Sequence, residues 1–130
     1  MSTICFRVLL YAGLTLSALA TVGCGKNTAS PEDKAEKPLE QFLDAWSRGE
    51  PADKFADANN PISGSDPDWK AGYRLLGFLS GETKQNQEKP DEYRCQVELS
   101  LQDKSGKRWD KKVTYEVRTG EKSVINRVSP

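Results

Sequence analysis

The sequence predicts an α+β fold in which one N-terminal amphipathic helix packs on a curved, cone-like sheet of four antiparallel strands connected as a meander. Two observations support this prediction. Apolar residues recur with helical spacing early in the folded part of the chain, and they alternate with polar residues in its second half. Because a sheet with one apolar face needs a cover, we expect the helix to provide it.

The helix is predicted to begin at Pro38 and to end before Gly49 and Pro51. Its apolar stripe consists of residues at spacing 0, 3, 4 and 7, namely Leu39, Phe42, Leu43 and Trp46. Ser30 to Asp33 also has the composition of a helix start. We expect no helix there because Pro38 would interrupt it.

Between the helix and the sheet the sequence favours irregular structure. One short helical turn is expected within 51–58, with Phe55 buried. Residues 59–68 are rich in Asn, Pro, Gly, Ser and Asp, which indicates a loop. The first strand is predicted over 73–79, and the polar segment 82–91 is predicted to be a long hairpin loop.

The two clearest strands are predicted over 93–101 and 109–117, where apolar and polar residues alternate. A three-residue loop, Lys104-Ser105-Gly106, with Gly106 in the left-handed conformation fixes their register. The predicted pairs are Leu101 with Trp109, Val97 with Val113, Cys95 with Tyr115, Tyr93 with Val117, Glu98 with Lys112 and Arg94 with Glu116. The last strand follows a two-residue loop that starts at Gly120, so Val124, Asn126 and Val128 are expected to face inward.

The N-terminus has the features of an export signal. A short lead with Arg7 precedes the uncharged stretch 8–20 and a group of small residues. The end of this segment, Thr21-Val22-Gly23-Cys24, resembles the bacterial lipobox, which implies cleavage before Cys24 and acylation of its thiol. We therefore expect a signal peptide over 1–23, a flexible polar tether over 24–37 and a single domain over 38–130.

Two other fates of the N-terminus stay open. Ala18-Leu19-Ala20 satisfies the ordinary cleavage rule and would give a secreted chain, and an uncleaved apolar segment would act as a membrane anchor. In the lipoprotein interpretation Cys5 is removed and Cys24 is acylated, which leaves Cys95 as the one thiol. The expected location is the bacterial cell envelope, lipid-anchored and facing the periplasm or the exterior.

Three short segments add a resemblance to a known group. They are Phe42-Leu43-Asp44-Ala45-Trp46, Asp68-Trp69-Lys70-Ala71-Gly72-Tyr73, and Val113-Thr114-Tyr115-Glu116-Val117 with Thr119-Gly120. Together with the order of elements over 38–128, they resemble small bacterial lipoproteins of the nuclear transport factor 2-like and cystatin-like group. The resemblance implies a helix lying in a strongly curved sheet, and it implies no particular activity.

The composition excludes several kinds of chemistry. The chain has no histidine, which removes imidazole acid–base catalysis and Ser-His or Cys-His nucleophile pairs. The predicted inward positions of the two clearest strands carry no carboxylate. Motifs for nucleotide phosphates, redox cysteines and serine nucleophiles are absent. We therefore expect a non-enzymatic protein without a cofactor.

Two polar clusters have alternative interpretations. The first could supply calcium ligands, but its order differs from that of calcium loops and its residues favour turns; it comprises Asp57, Asn59, Asn60, Ser65, Asp66 and Asp68. The second surrounds Trp109 and consists of Lys104, Lys107, Arg108, Lys111 and Lys112. An exported protein with 19 basic and 19 acidic residues is not expected to bind nucleic acid, so a solvated hairpin is favoured, and contact with anionic lipids or polymers is the alternative.

The sequence thus predicts a membrane-anchored binding domain. Its anchor is Cys24, and its partner is an unknown envelope protein or a small apolar ligand. The candidate pocket residues are Trp46, Trp69, Tyr73, Cys95, Tyr115 and Asn126, although the tryptophans are favoured as core residues. The alternative is a small enzyme that uses Asp68 as a base beside Tyr73. A cystatin-like inhibitor is disfavoured because the Q-x-V-x-G motif is absent.

Overall fold

The computed structural model describes residues 30–57 and 59–128, so the predicted signal peptide and Cys24 lie outside the described residues. In chain order the elements are helix α1 (Pro31–Ser47), a 3-10 turn (Ala52–Phe55), strand β1 (Ile62–Ser65), helix α2 (Pro67–Lys70), and strands β2 (Arg74–Gln85), β3 (Glu92–Gln102), β4 (Arg108–Arg118) and β5 (Ser123–Arg127). The α+β class is confirmed.

The sheet differs from the predicted one. It is an open sheet of five strands in the order β1-β5-β4-β3-β2, in which β1 runs parallel to β5 and the other neighbours are antiparallel. The prediction of four antiparallel strands is therefore wrong, because it lacks β1, which lies at the edge of the sheet and runs parallel to β5. Helix α1 packs across the sheet and makes its largest set of contacts with β2.

Helix α1 begins seven residues earlier than predicted. The Ser30 hydroxyl accepts a hydrogen bond from the Asp33 amide (3.3 Å), and the Asp33 carboxylate accepts one from the Ser30 amide (3.0 Å), which forms a capping box. Pro38 is buried inside the helix, and Ala35 is buried beside it. Burial of this extra turn offsets the hydrogen bond that proline removes. Residues 31–37, predicted as tether, therefore belong to the domain.

Residues 59–68 do not form one continuous loop as predicted. Strand β1 pairs with β5, and Gly64 lies opposite Ile125. A Cβ atom at Gly64 would lie 2.5 Å from the Ile125 carbonyl oxygen, so only glycine allows this approach. Strand β2 is also longer than predicted, because residues 80–85 continue it along the edge of the sheet. A strand at the edge can pair with its neighbour without burying one of its faces.

The predicted register of β3 and β4 is confirmed for all six pairs, from Tyr93 with Val117 to Leu101 with Trp109. Gly106 has the expected positive φ of 92°. The register of β4 and β5 is wrong by one residue, because Tyr115 pairs with Arg127 and Val117 with Ile125. A one-residue shift reverses the two faces of a strand. Ile125 is therefore buried, while Asn126 is exposed on the outer face.

The space between α1 and the sheet is filled by side chains. Phe42 contacts Phe55, Trp69 and Tyr115 edge-on, with ring centroids 5.2 to 6.3 Å apart. The main core also includes Leu39, Leu43, Trp46, Tyr93, Cys95, Leu99, Leu101 and Ile125. Burial of Phe55 confirms the predicted turn near it. No described helix combines the length and the apolar composition needed to cross a membrane.

Candidate functional site

The six predicted pocket residues do not form one pocket. Trp46, Trp69 and Tyr73 line a common groove at the C-terminal end of α1. Cys95 and Tyr115 are buried in the core between α1 and the sheet. Asn126 lies on the opposite face of the sheet because of the β4–β5 register. The groove is therefore the candidate site, and the other three predicted residues lie outside it.

The groove is a concavity of about 320 Å³ between the end of α1 and the connection from α2 to β2. We call it the α1 groove. Its lining residues are Trp46, Ser47, Arg48, Gly49, Glu50, Pro51, Ala52, Trp69, Gly72, Tyr73 and Arg74. Gly49 and Gly72 both have positive φ, which allows the chain to turn sharply on each side of the groove.

The floor of the α1 groove is aromatic and rigid. The rings of Trp46 and Trp69 are stacked, with centroids 5.6 Å apart and an interplanar angle of 8°. The Trp46 indole donates a hydrogen bond to the Tyr73 carbonyl (2.8 Å), and the Trp69 indole donates one to the Glu50 carbonyl (2.9 Å). Trp46 is 2% exposed and Trp69 is 7% exposed, so both are core residues, as the sequence favoured. They leave no deep apolar cavity for a small ligand.

Charged side chains surround this floor. Glu50 accepts hydrogen bonds from Lys54 (2.8 Å) and Arg48 (3.4 Å), and the bond from Lys54 lowers the pKa of Glu50. Arg74 lines the groove, and Lys104 lies beside its lining residue Gly72: a Cβ atom at Gly72 would meet Lys104 Cε at 3.1 Å. We call the side chains of Arg74 and Lys104 the cationic wall. The sequence did not indicate it because the two residues are 30 positions apart in separate elements.

A buried polar cluster lies below the groove. The Asp66 carboxylate accepts hydrogen bonds from the amides of Asp68 (2.7 Å) and Trp69 (3.2 Å), and it caps α2. It also accepts a hydrogen bond from the Tyr115 hydroxyl and forms an ion pair with Arg127 (3.2 Å). Asp66 is 0% exposed, so it is fully desolvated but also fully partnered.

Sequence reasoning did not find this cluster. Asp66 enters the core from the segment before α2, and the first residue of β3, Glu92, is a second buried carboxylate that the predicted strand 93–101 did not include. One signal was available, since an aspartate directly before Pro67 is a typical helix start. Arg127 was missed because the predicted register placed it on the outer face.

Asp68, the predicted base of the enzyme alternative, is held between two cations. Its carboxylate contacts Arg127 and the Lys111 ammonium (3.3 Å). Tyr73 is linked to Asp68 through main-chain atoms, because its amide donates to the Asp68 carbonyl (3.1 Å). The Oδ2 atom of Asp68 is therefore already engaged in two ion pairs within the domain.

The residues of each polar cluster predicted from the sequence do not lie together in the structure. Asp57 accepts a hydrogen bond from the Asn59 amide (2.9 Å) in one turn, whereas Asp66 and Asp68 belong to the buried cluster. Within 30–57 and 59–128, no three acidic or cysteine side chains are placed to hold a metal ion. In the basic hairpin, Lys111 turns inward to Asp68, and Trp109 packs edge-on against Tyr73 with centroids 5.3 Å apart.

Two other concavities lack the combination of aromatic and cationic residues found at the α1 groove. A cavity of about 400 Å³ on the outer face of the sheet lies beside Leu79, Gln96 and Lys112, and a shallow groove of about 730 Å³ lies at the N-terminal end of α1. Neither combines several aromatic residues with a cationic wall. Comparison of the sequence with protein-family models and with curated proteins finds no match.

Proposed function

We propose that the chain is a non-enzymatic, lipid-anchored protein of the bacterial cell envelope, and that its domain binds a partner protein in the α1 groove. The observation that carries this proposal is the state of the two buried carboxylates, Asp66 and Glu92. Asp66 is already occupied by Tyr115, Arg127 and two amides of α2. The other buried carboxylate of the described residues, that of Glu92, forms an ion pair with Lys89 (3.8 Å). Neither carboxylate lines the α1 groove, where a catalytic acid or base would meet a substrate.

A partner protein is a better occupant of the groove than a small apolar ligand. Small-molecule sites usually enclose most of the ligand in an apolar cavity. Here the two indoles are almost completely covered, and the accessible surface combines Tyr73, Pro51 and Ala52 with small residues and charged side chains. Such a shallow surface suits a segment that projects from a larger molecule.

The fold supports the resemblance to the nuclear transport factor 2-like and cystatin-like group as a proposal. Helix α1 lies across one face of the sheet, as in a cone with a helix inside. Strand β2 has register shifts between Leu75 and Gly77 and between Ser80 and Thr83, and bulges of this kind bend a strand. We propose that these bends curve the sheet around α1.

The anchor is tested by mass spectrometry of the protein extracted from membranes. The expected mature N-terminus is Cys24 with acyl chains, and a Cys24→Ser variant should leave the membrane fraction or stay unprocessed. Detection of a free amine on Thr21 would contradict lipidation and favour ordinary secretion. Retention of residues 1–23 would favour the uncleaved anchor.

The binding role is tested in cells with a photo-crosslinking amino acid placed at Ser47, an exposed residue at the groove, and separately at Gln87, an exposed residue of the β2–β3 loop. We expect a discrete crosslinked protein from position 47 and none of the same size from position 87. Its identity is confirmed by a reciprocal crosslink from the partner. Equal products at both positions, or none at position 47, would contradict a binding role of the groove.

A further inference from the structure

We infer that the α1 groove recognises acidic side chains of its partner, and this inference rests on the proposed binding role of the groove. Amide groups around the groove already donate hydrogen bonds within the domain, namely those of Arg48, Gly49, Glu50, Gly72 and Tyr73. Because peptide binding by strand addition needs free main-chain groups, recognition here must come from side chains.

Two cationic side chains at the groove are unpaired among the described residues. Arg74 and Lys104 form no ion pair with any carboxylate in the part of the chain that the structure describes. Glu50, the carboxylate that lines the groove, is paired with Lys54 and Arg48. The wall formed by Arg74 and Lys104 is therefore the part of the groove with uncompensated charge, and it favours an anionic partner.

A third cation, Arg108, lies beside this wall. Arg74 pairs in register with Gln102, and Gln102 pairs with Arg108, so the two arginines lie in one row at the end of the sheet. The nearby carboxylates are engaged in local hydrogen bonds. Asp103 accepts hydrogen bonds from the amides of Ser105 (2.9 Å) and Lys107 (3.0 Å), and Asp110 accepts one from the Ser100 hydroxyl (2.8 Å). These neutral donors hold Asp103 and Asp110 in place but leave their negative charge, so the positive charge at this edge is confined to Arg74, Lys104 and Arg108.

The groove lies far from the proposed membrane anchor. The α1 groove lies at the C-terminal end of the 17-residue helix α1, whereas the chain leads from the N-terminal end of that helix towards Cys24. A helix of this length separates the two ends by about 25 Å. The groove therefore lies at the end of α1 remote from the proposed anchor, which favours an acidic protein segment over lipid head groups.

The partner segment should combine acidic and apolar side chains. Carboxylates would contact Arg74 and Lys104, and an adjacent apolar side chain would pack on Tyr73 and Pro51 at the open side of the groove. Ion pairs with exposed arginine and lysine are individually weak and screened by salt. We expect binding to be modest in affinity and to weaken as the salt concentration rises.

The direct test uses the full-length protein in detergent and a fluorescein-labelled pentapeptide, Glu-Glu-Phe-Glu-Glu, with fluorescence anisotropy as the readout. The double variant Arg74→Glu/Lys104→Glu should bind the peptide about tenfold more weakly or worse. The matched control is Lys34→Glu/Lys37→Glu, which makes the same change in net charge at the opposite end of α1, where both lysines are exposed. The control should bind like the unmodified protein.

Three outcomes would overturn the inference. They are equal binding of a Lys-Lys-Phe-Lys-Lys peptide, equal weakening in the control variant, and no binding of the acidic peptide by a folded protein. Thermal melting verifies folding, and Arg74→Gln/Lys104→Gln replaces the charge reversal if that variant is unfolded. In cells, a position-47 crosslink that persists in the charge-reversed variant overturns acidic recognition alone, whereas absence of any position-47 crosslink overturns the binding role itself.

Discussion

The Tyr115 hydroxyl donates a hydrogen bond to the carboxylate of Asp66, and both side chains are fully buried although they are 49 positions apart in the chain. Arg127 reaches the same carboxylate from β5. One aspartate therefore connects the start of α2 to two adjacent strands. Since α2 carries Trp69, this connection also holds the floor of the α1 groove in place.

Replacement of Tyr115 by Phe should destabilise the protein. The ring is retained, but Asp66 loses a buried donor, and an unsatisfied charged acceptor costs about 1–3 kcal/mol or somewhat more. Urea denaturation monitored by tryptophan fluorescence measures the loss. Tyr73→Phe is the control, because Tyr73 is half-buried and no hydrogen bond of its hydroxyl lies within the described residues. Equal stability of Tyr115→Phe and the unmodified protein would show that the Asp66 bond contributes nothing.

The same tyrosine should make stability depend on alkaline pH. Burial, followed by the negative charge of Asp66, raises the pKa of Tyr115 well above its ordinary value. In the unfolded chain a tyrosine ionises near pH ~10, so above this pH the unfolded state loses a proton that the folded state retains. The free energy of unfolding should therefore fall as the pH rises past this point. In Tyr115→Phe the slope of the free energy of unfolding against pH should be smaller by the contribution of one proton. An unchanged slope would contradict the assignment.

The ion pair of Asp66 with Arg127 should behave as a coupled unit. Asp66→Asn removes the charge that compensates Arg127, whose side chain is 5% exposed, and breaking a buried pair typically costs about 3–5 kcal/mol. The double variant Asp66→Asn/Arg127→Met should lose less stability than the sum of the two single variants. A double-mutant cycle from urea denaturation measures this coupling. Additive losses would mean that Asp68, rather than Asp66, is the effective partner of Arg127.

The parts of the fold that could be predicted are those in which the sequence has a strong local pattern of apolar and polar residues. The pairing of β3 with β4 could be predicted because alternation extends over both strands, and only a three-residue loop places Leu101 opposite Trp109. Strand β1 has four residues and no alternation, and its position depends on the close approach of Gly64 to Ile125. Helix α1 begins before Pro38 because the burial of Ala35 and Pro38 against the rest of the domain outweighs the tendency of proline to interrupt a helix. That burial is not visible in the sequence.

The candidate site was predictable to a smaller extent. Aromatic composition pointed to Trp46, Trp69 and Tyr73, which the structure brings together. The cationic wall depends on the hairpin tip folding over Gly72, and no spacing rule indicates such a contact. The error at Asn126 came from choosing a loop one residue too short, since Val124, Asn126 and Val128 alternate as plausibly as the opposite set.

The corrected β4–β5 register predicts that one of two adjacent residues contributes strongly to stability and the other very little. Ile125 is 0% exposed, so Ile125→Ala should cost about 2–5 kcal/mol through loss of packing and formation of a cavity. Asn126 is exposed, so Asn126→Ala should change stability by less than about 0.5 kcal/mol. Thermal or urea denaturation of the two variants measures the difference. A larger loss for Asn126→Ala would restore the register with a two-residue loop.

The early start of α1 predicts a measurable contribution from its cap. Ser30→Ala removes the hydroxyl that accepts the Asp33 amide and should cost about 1 kcal/mol. Hydrogen exchange should then accelerate at the amides of 35–37, which lie in the turn before Pro38. Ser47→Ala is the control at the other end of the helix, where the exposed hydroxyl donates only to the Asp44 carbonyl. Unprotected amides over 35–37 in the unmodified protein would restore the tether interpretation.

Cys95 should be an unreactive thiol in the folded domain. It is 2% exposed, and burial raises its pKa, although a hydrogen bond with Thr83 acts in the opposite direction. Since the thiolate is the reactive form, alkylation at neutral pH should be slow and should accelerate in urea to the rate of an unfolded chain. Mass spectrometry of the peptide that contains Cys95 measures the extent of alkylation at this thiol.

The raised pKa of Cys95 also has a consequence for stability, and the sign follows from linkage. In the unfolded chain the thiol ionises near pH ~8.5, below its pKa in the folded state, so stability should begin to fall as the pH rises through this value. Cys95→Ala should remove this part of the pH dependence while leaving the steeper fall that Tyr115 causes near pH ~10. Rapid alkylation of Cys95 in the native protein at neutral pH would show that the thiol is reactive, and a redox or nucleophilic role would then have to be reconsidered.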